Sequence, residues 1–242
     1  MSFWSRALDL LYPPKCPGCG QPSEDAHGFC APCHRTIRRP QSPMCQVCGE
    51  PFAGAGVDHL CHRCLTQRPS FGVARACITY LAIDSEPSPL ARTIQRYKYG
   101  PDASLAPALS TLLLRLAPPL PRSYDFMVPV PLHISRLRWR GFNQAHWLAR
   151  SLAHQQQISI DPFVLERTRA TAPQVQLDMA ARRRNVTGAF RVTDTRRVHD
   201  RSVLLIDDVY TTGATANECS RTLRRAGAAA VDVLVLARAV TH

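Results

Sequence analysis

Residues 203–215 of this 242-residue chain read VLLIDDVYTTGAT, and this stretch decides the fold. Its four apolar residues, 203–206, predict a buried strand, and Asp207 and Asp208 stand at the carboxyl end of that strand. A turn rich in Thr and Gly follows, and the chain then takes up helical spacing. Strand, polar turn and helix in this order are typical of α/β proteins, whose ligands bind beyond the carboxyl ends of parallel strands.

The composition of this turn favours a sugar-phosphate ligand. Backbone N–H groups of a Gly-containing loop and of a helix N-terminus form a cradle for phosphate. Two adjacent carboxylates beside that cradle can accept hydrogen bonds from vicinal hydroxyls. A Walker B strand shares the Asp-Asp pattern, but it requires a GxxxxGK[ST] loop, which this sequence does not contain. The residues predicted to bind the ribose 5-phosphate are Asp207, Asp208, Val209, Thr211, Thr212, Gly213, Ala214 and Thr215.

Outward from this stretch, short apolar runs alternate with helical patterns. This alternation predicts an α/β domain over residues 70–242, with a mainly parallel sheet and helices on both faces. The predicted strands lie near 73–83, 126–130, 189–192, 203–206 and 231–236, and the predicted helices near 88–98, 104–117, 143–156 and 213–226.

Four CxxC pairs predict two metal sites. Residues 16–22 (CPGCGQP) resemble residues 45–51 (CQVCGEP), and each segment is followed by a second CxxC after ten to twelve residues. Two such turns complete a closed tetrahedron of thiolates, which is typical of structural zinc rather than catalytic zinc. The repeat favours sequential pairing, although spacing alone leaves a crossed pairing open. The predicted ligands are Cys16, Cys19, Cys30 and Cys33 for one ion and Cys45, Cys48, Cys61 and Cys64 for the other.

The region before the larger domain divides into a short amphipathic helix, residues 1–15, and a double zinc ribbon, residues 16–66. The helix lacks a signal-like apolar segment, so disulfides and haem attachment are not expected and the predicted location is the cytoplasm. The most apolar run, residues 105–120, contains Arg115 and three prolines, so no transmembrane segment is predicted.

The net charge of +12 is concentrated in the larger domain. Residues 1–66 hold six basic and five acidic residues, whereas the remainder holds 24 and 13. Phosphates are natural partners for such an excess. Only Lys15 and Lys98 are lysines, which is typical of a GC-rich genome. The charge is therefore compatible with a nucleic-acid groove and equally with an ordinary solvated surface.

Residues 203–215 resemble the phosphoribosyl pyrophosphate (PRPP) motif of type I phosphoribosyltransferases. With the cysteine pairs, three further segments resemble the ComF/GntX family, so that the resemblance covers nearly the whole chain. It implies a double zinc ribbon before a type I phosphoribosyltransferase-like fold, with PRPP and magnesium bound. It also implies the handling of single-stranded DNA in natural transformation or DNA utilisation, alongside proteins of the DNA-uptake machinery. The three segments are 96–100 (RYKYG), 128–131 (VPVP) with 138–144 (RWRGFNQ), and 174–190.

The same resemblance places a pyrophosphate loop after the strand that ends at Val130. Arginine forks suit phosphate oxygens, and several arginines follow this strand. Residues 167–185 resemble the loop that closes over the site in this fold class. Lys98 is compatible with facing phosphate or with an extended side chain at a helix end. The candidates from the two loops are Pro131, Arg136, Arg138, Arg140, Arg182 and Arg184.

Three classes of function remain open. A phosphoribosyltransferase of nucleobase salvage or nucleotide metabolism would transfer ribose 5-phosphate to an acceptor and release pyrophosphate. A binding module would use the same cradle as a sensor or as a dock for nucleic-acid ends. A structural adaptor would have no ligand affinity. Little chain follows the phosphate motif, so any hood over an acceptor base must come from residues 71–100 or from the ribbons, where no base-reading pattern is visible.

Overall fold

The computed structural model describes residues 14–23, 28–81, 86–100, 102–171 and 179–240, so residues 1–13 of the predicted N-terminal helix lie outside it. None of the helices in these residues has the length and apolar character needed to span a bilayer. The helices are α1 (Ala31–Arg35), α2 (His62–Thr66), α3 (Pro89–Tyr99), α4 (Ala106–Leu116), α5 (Ile134–Arg140), α6 (Gln144–Gln156), α7 (Met179–Val186) and α8 (Ala214–Arg225). The strands are β1 (Ala74–Leu81), β2 (Phe126–Pro129), β3 (Ser159–Ile160), β4 (Leu165–Arg167), β5 (Phe190–Val192), β6 (Ser202–Tyr210) and β7 (Ala230–Val240).

Five of these strands form one sheet in the order β1–β7–β6–β2–β3. All four neighbouring pairs are parallel, and Leu205 at the centre of β6 lies opposite Val128 of β2 and Val233 of β7. Residues 203–206 are completely buried, as expected for a parallel strand that is covered on both faces. Helix α8 packs on one face of the sheet, and α3, α4 and α6 pack on the other. The predicted mainly parallel α/β architecture is therefore confirmed.

Several strands differ from the sequence prediction, and β3 and β4 have no predicted counterpart. β6 continues past Ile206 to Tyr210, because β7 is long enough to pair with it as far as Tyr210 opposite Arg238. The strand predicted near 189–192 does not join the main sheet. It is β5, which pairs antiparallel with β4 in a separate two-stranded sheet. Leu165 and Phe190 of this small sheet are buried in the same core as α8.

Each face of the main sheet carries one hydrophobic core, and one ribbon packs into each core. Leu205 and Leu223 share a core with the four cysteines of residues 45–64. Leu204 and Leu148 share the opposite core with Cys16, Cys33 and Phe29 of residues 16–33. Between the ribbons, the carbonyl of Arg38 accepts a hydrogen bond from the N–H of Thr79 (2.8 Å), which covers part of the edge of β1.

Candidate ligand site and zinc centres

Both ribbons begin with the same turn. The N–H of Gly20 donates to the carbonyl of Cys16, and the N–H of Gly49 donates to the carbonyl of Cys45, each at 2.8 Å. Both glycines have positive φ angles, 75° and 70°, which explains why glycine follows each CxxC. The second CxxC of each ribbon opens a short helix, α1 or α2. The repeat in the sequence is therefore a repeat in backbone structure.

The cysteine sulfurs form two clusters whose size matches a tetrahedral zinc site. A Zn–S bond of about 2.3 Å implies an edge of about 3.8 Å between sulfurs. The Sγ atoms of Cys19 and Cys30 lie 3.7 Å apart, and those of Cys48 and Cys61 lie 3.8 Å apart. The predicted sequential pairing is confirmed, and the two sets fit two structural zinc ions. Ligand atoms lie within 4.8 Å of one another among Cys16, Cys19, Cys30 and Cys33, and among Cys45, Cys48, Cys61 and Cys64.

Backbone N–H groups favour one thiolate in each set. Burial opposes the charged form of Cys16, yet hydrogen bonds led by the N–H of Cys30 (3.3 Å) lower its pKa to about 6. Burial likewise opposes the thiolate of Cys45, and hydrogen bonds led by the N–H of Cys61 (3.4 Å) lower its pKa to about 6. Each ribbon therefore offers zinc a sulfur that is already deprotonated near neutral pH.

A cavity of about 330 Å³ opens at the carboxyl ends of β2 and β6. This is where a parallel sheet is expected to bind ligands. Carboxylates, basic side chains and the start of α8 all meet there. The lining residues are Lys98, Tyr99, Val130, Pro131, Leu132, Arg136, Trp139, Arg140, Asn143, Gln144, Ala145, Arg167, Asp207, Asp208, Val209, Tyr210, Thr211, Gly213, Ala214, Thr215 and Ala216.

The two adjacent carboxylates in the cavity are oriented by the backbone. The N–H of Val209 donates to Oδ1 of Asp208 (2.7 Å), and the N–H of Asp208 donates to Oδ1 of Asp207 (2.9 Å). Burial, followed by the negative charge of Asp208, raises the pKa of Asp207 well above its ordinary value, although Lys98 acts in the opposite direction. A pair held in this way is expected to gain from hydroxyl donors or from a cation.

The turn after β6 has the form predicted for a phosphate cradle. Gly213 has a φ of 76°, and a Cβ at this position would collide with the hydroxyl of Tyr210. Helix α8 begins at the next residue, so its N-terminus opens at the cavity. Seven of the eight residues predicted to bind ribose 5-phosphate line the cavity. The exception is Thr212, which lines a second cleft beside the second ribbon.

Two of the three arginines predicted after β2 line the cavity. Arg136 and Arg140 are four positions apart on α5 and so share one side of the helix, whereas Arg138 is exposed and does not line the cavity. Arg140 is 9% exposed, and its Nη1 donates to Oε1 of Gln144 (3.0 Å). Its buried Nε has no hydrogen-bond partner among the described residues. A buried guanidinium with an unused N–H is well suited to bind an anion.

Arg167 also lines the cavity, at the end of β4 rather than in a closing loop. It pairs with Phe190 of β5, and its guanidinium lies 5.3 Å from that ring centroid. One nitrogen donates to the Thr171 hydroxyl, while the buried Nε has no partner among the described residues. Arg136 donates to the Thr171 carbonyl (2.8 Å), which brings both arginines to the same residue. The resemblance places Arg167 at the start of a closing loop, whereas the pairing of β4 with β5 holds it at the end of a strand.

The remaining basic candidates divide between the cavity and the surface. Lys98 lines the cavity, where burial opposes its charge but Asp208, followed by Tyr99, raises its pKa. Lys98 therefore carries its charge beside the carboxylates. Arg184 of α7 is exposed and does not line the cavity, and the side chain of Arg182 lies outside the described part of the chain.

Known proteins are similar to this chain both in the zinc ribbons and over almost its full length. A family model described as "Double zinc ribbon domain" matches residues 7–65. DNA utilization protein YhgH of Escherichia coli (strain K12) is 36% identical over 236 residues, which cover 95% of this chain and 99% of that protein. Competence protein F of Haemophilus influenzae is 32% identical over 219 residues, which cover 88% of this chain and 91% of that protein.

Solved structures give weaker matches. Glutamine PRPP amidotransferase from B. subtilis, complexed with ADP and GMP, aligns over 59% of this chain and 30% of that chain. The sequence identity is 20% and the TM-score is 0.40, a similarity too low to indicate function. The relatives in sequence are decisive, because they exceed 30% identity over almost the full length of both chains. With its double zinc ribbon and its parallel α/β domain, and with relatives that match over almost its full length, this chain belongs to the ComF/GntX family.

Proposed function

We propose that this protein binds PRPP, or a related ribose 5-phosphate, and that it acts in the cytoplasm in handling single-stranded DNA during DNA uptake or utilisation. Proteins of the DNA-uptake machinery are its proposed partners. One observation carries the ligand proposal. A single cavity is lined by the Asp207–Asp208 pair, by Thr211 and residues 213–215 at the start of α8, and by Arg140 and Arg167, whose buried Nε donors lack partners among the described residues.

The three parts of PRPP match three parts of the cavity. The 5-phosphate fits the turn at residues 211–215 and the N-terminus of α8. The ribose hydroxyls would donate to Asp207 and Asp208. The pyrophosphate would accept from Arg140 and Arg167, whose Nε donors are unused among the described residues. The carboxylates are hard oxygen ligands of the kind Mg²⁺ prefers, and magnesium would neutralise pyrophosphate charge beside them.

The same arrangement would serve an enzyme or a binding module. In a phosphoribosyltransferase, the bond from the anomeric carbon to a pyrophosphate oxygen breaks, and an acceptor nucleophile forms the new bond. The arginines would stabilise the departing pyrophosphate, and the carboxylates would favour positive charge at the sugar. A binding module would retain the ligand without this step. Release of pyrophosphate in the presence of a panel of nucleobases separates the two functions.

PRPP with magnesium is expected to raise the melting temperature of the protein and to bind in a calorimetric titration. A ligand bound only by the folded state stabilises it by about 2.7 kcal/mol at a hundred times its dissociation constant. Ribose 5-phosphate and inorganic phosphate are the comparison ligands, and we expect affinity to rise from phosphate to PRPP. An unchanged melting temperature at millimolar PRPP, with no heat of binding, would contradict the proposal.

Exposed aromatic rings at the mouth of the cavity favour the role in handling single strands. Trp139 is 62% exposed and Tyr99 is 44% exposed, and both line the cavity beside the arginines. Aromatic faces next to guanidinium groups are typical of surfaces that bind single strands without sequence preference, because every base can stack. This combination is the observation that supports nucleic-acid binding over an ordinary charged surface.

We expect an oligothymidylate to bind with an affinity that falls linearly with salt on a logarithmic plot, with a slope of about −0.7 for each phosphate contacted. Trp139→Ala is expected to weaken binding roughly tenfold, because one stacked base is lost. Phe163→Ala is the matched control, since Phe163 is 76% exposed and does not line the cavity. Fluorescence anisotropy measures both effects. A flat salt dependence, or equal losses in the two variants, would refute the proposed surface.

A further inference from the structure

The second zinc ribbon contacts the phosphate turn directly. Arg63 lies on α2 and donates from Nη1 to the carbonyl of Thr212 (3.1 Å). From Nη2 it donates to Oε2 of Glu50 (3.2 Å). Its side chain is only 23% exposed, so both hydrogen bonds are partly shielded from water. One guanidinium therefore joins the ribbon to the turn that is shaped for phosphate.

A second arginine joins the ribbon to the start of the same turn. Arg238 of β7 is 3% exposed, and its Nη1 donates to the carbonyl of Cys48 (2.8 Å). Its Nη2 lies 3.4 Å from Oε2 of Glu50, the carboxylate that Arg63 also contacts. The guanidinium lies 4.6 Å from the ring centroid of Tyr210, the last residue of β6. Two arginines therefore link the turn to the ribbon: Arg238 contacts Tyr210 at the start of the turn, and Arg63 of the ribbon contacts Thr212 within it.

The Arg63 contact fixes the orientation of one peptide plane in the turn. A planar trans peptide directs its C=O and the following N–H to opposite sides. Because the Thr212 carbonyl points to Arg63, the N–H of Gly213 points away from the ribbon. Gly213 lines both the main cavity and the second cleft of about 280 Å³, whereas Thr212 lines the second cleft, together with Arg63, and not the main cavity. The contact thus selects the peptide orientation that directs the Gly213 N–H away from Arg63.

We propose that Arg63 is a positioning residue for the phosphate turn and that it couples the second zinc site to the ligand site. Zinc would fix Cys61 and Cys64, which flank Arg63 in sequence, and so would fix the origin of its side chain. Coupling between two sites is reciprocal, so a ligand that requires this turn also stabilises the ribbon that holds it. The ligand half of this inference rests on the proposed function, whereas the positioning half does not.

The positioning half is tested without any ligand. Hydrogen exchange of the amides of residues 211–216 is measured in wild type, Arg63→Met and Arg68→Met. We expect exchange about tenfold faster in Arg63→Met, since one charge-assisted hydrogen bond is lost, and within twofold of wild type in Arg68→Met. Arg68 lines the same second cleft but is exposed, which makes it the matched control. Equal exchange in Arg63→Met and wild type overturns the inference.

Zinc content shows whether Arg63→Met leaves the ribbon intact, with two ions per chain expected. If this variant loses zinc, Glu50→Gln replaces it, because it keeps Arg63 and weakens the contacts that Glu50 makes with the guanidinium groups of Arg63 and Arg238. The side chain of Glu50 is 43% exposed, so the change does not disturb a core. Exchange of residues 211–216 about threefold faster in Glu50→Gln is then expected. No increase in that variant overturns the inference.

The coupling half is tested by zinc loss. Wild type is treated with a chelator and a thiol-alkylating reagent, with and without PRPP and magnesium, and mass spectrometry follows each cysteine. PRPP is expected to slow alkylation of the second ribbon at least about fivefold, which is the lower end of typical coupling factors between two binding sites. Its cysteines are Cys45, Cys48, Cys61 and Cys64. Alkylation of the first ribbon is expected to be slowed less. In Arg63→Met the protection of the second ribbon is expected to disappear.

The outcomes separate this inference from the proposed function. If PRPP binds wild type but protects the second ribbon equally well in Arg63→Met, or not at all, the coupling is wrong and the ligand site stands. If PRPP does not bind wild type, the proposed ligand is wrong. Exchange of residues 211–216 then still decides whether Arg63 positions the turn.

Discussion

Replacing Asp208 with Asn is expected to weaken the binding of PRPP roughly ten- to a hundredfold. The substitution keeps the size of the side chain and removes the charge that strengthens hydrogen bonds from the ribose hydroxyls. A hydrogen bond to a charged group contributes about 1.5–3 kcal/mol, and 1.4 kcal/mol corresponds to a factor of ten. Asp207→Asn is expected to have an effect of the same size. Calorimetric titration of wild type and both variants measures it.

Inorganic phosphate distinguishes a ribose site from a bare phosphate cradle. Its affinity is expected to survive both substitutions or to improve, because a nearby negative charge is removed. Asp200→Asn makes the same chemical change at a side chain that is 84% exposed, and it is expected to bind PRPP like wild type. Zinc content is expected to be unchanged in all three variants. If Asp207→Asn and Asp208→Asn bind PRPP as tightly as wild type, the pair does not hold a ribose.

The raised pKa of Asp207 gives this prediction a pH dependence. Burial and the neighbouring Asp208 raise that pKa, so the carboxylate becomes neutral at a higher pH than an ordinary aspartate during acidification. At low pH the protonated Asp207 of wild type therefore resembles the neutral Asn of the Asp207→Asn variant. The ratio of the two affinities is therefore expected to shrink as pH falls, and titration of PRPP itself cancels in that ratio. A ratio that stays constant with pH contradicts the role of the Asp207 charge.

Arg140→Met is expected to lower the affinity for PRPP roughly a hundredfold and to leave the affinity for ribose 5-phosphate within about threefold. Arg140 is buried with an unused Nε donor, so pyrophosphate would gain a charge-assisted fork of hydrogen bonds. Ribose 5-phosphate lacks the pyrophosphate and therefore does not depend on this fork. Calorimetric titration with the two ligands measures the difference.

Arg138→Met is the matched control for Arg140→Met. It removes the same charge from the same helix, at a side chain that is exposed and outside the cavity. A general loss of positive charge would weaken PRPP binding equally in the two variants, and that result would contradict a specific role of Arg140. Melting temperatures of the free proteins show whether either variant is destabilised.

Local sequence was sufficient to predict the centre of the candidate site. Residues 203–206 are apolar throughout because the strand is buried on both faces, and this pattern needs no distant partner to be recognised. Position 213 has a positive φ, which favours glycine, and the Thr-Thr-Gly sequence indicates such a turn. The repeated CxxCG turns likewise determine their own hydrogen bonds. The repetition favoured the sequential zinc pairing, whereas spacing alone left a crossed pairing open until the sulfur positions decided it.

Helix geometry separated the arginines that the sequence prediction had grouped together. The resemblance groups Arg136, Arg138 and Arg140 as candidates of one pyrophosphate loop, and Arg140, next to Gly141, is the favoured one. In helix α5, side chains two positions apart face opposite directions, so Arg138 is directed away from the cavity that Arg136 and Arg140 line. Recognising the helix in the sequence would have allowed this distinction.

Contacts between distant segments could not be predicted. The resemblance placed Arg167 in a closing loop, but its position at the end of a strand depends on the pairing of β4 with β5. Arg63 bonds to a carbonyl 149 residues further along the chain. Each depends on the packing of whole elements rather than on the residues around it. The orientation of Thr212 could not be predicted for the same reason. Its carbonyl faces the second ribbon, where Arg63 donates a hydrogen bond to it.

Because one ribbon packs into each core, the folding of the larger domain is expected to depend on the zinc supply of the cell. Without the first 69 residues, both faces of the sheet would lose apolar cover, and part of the edge of β1 would become an open template for aggregation. The larger domain is therefore expected to aggregate when it is produced without the ribbons. When zinc is scarce, newly made chains would lose the same apolar cover, so the supply of the metal would limit the amount of folded protein.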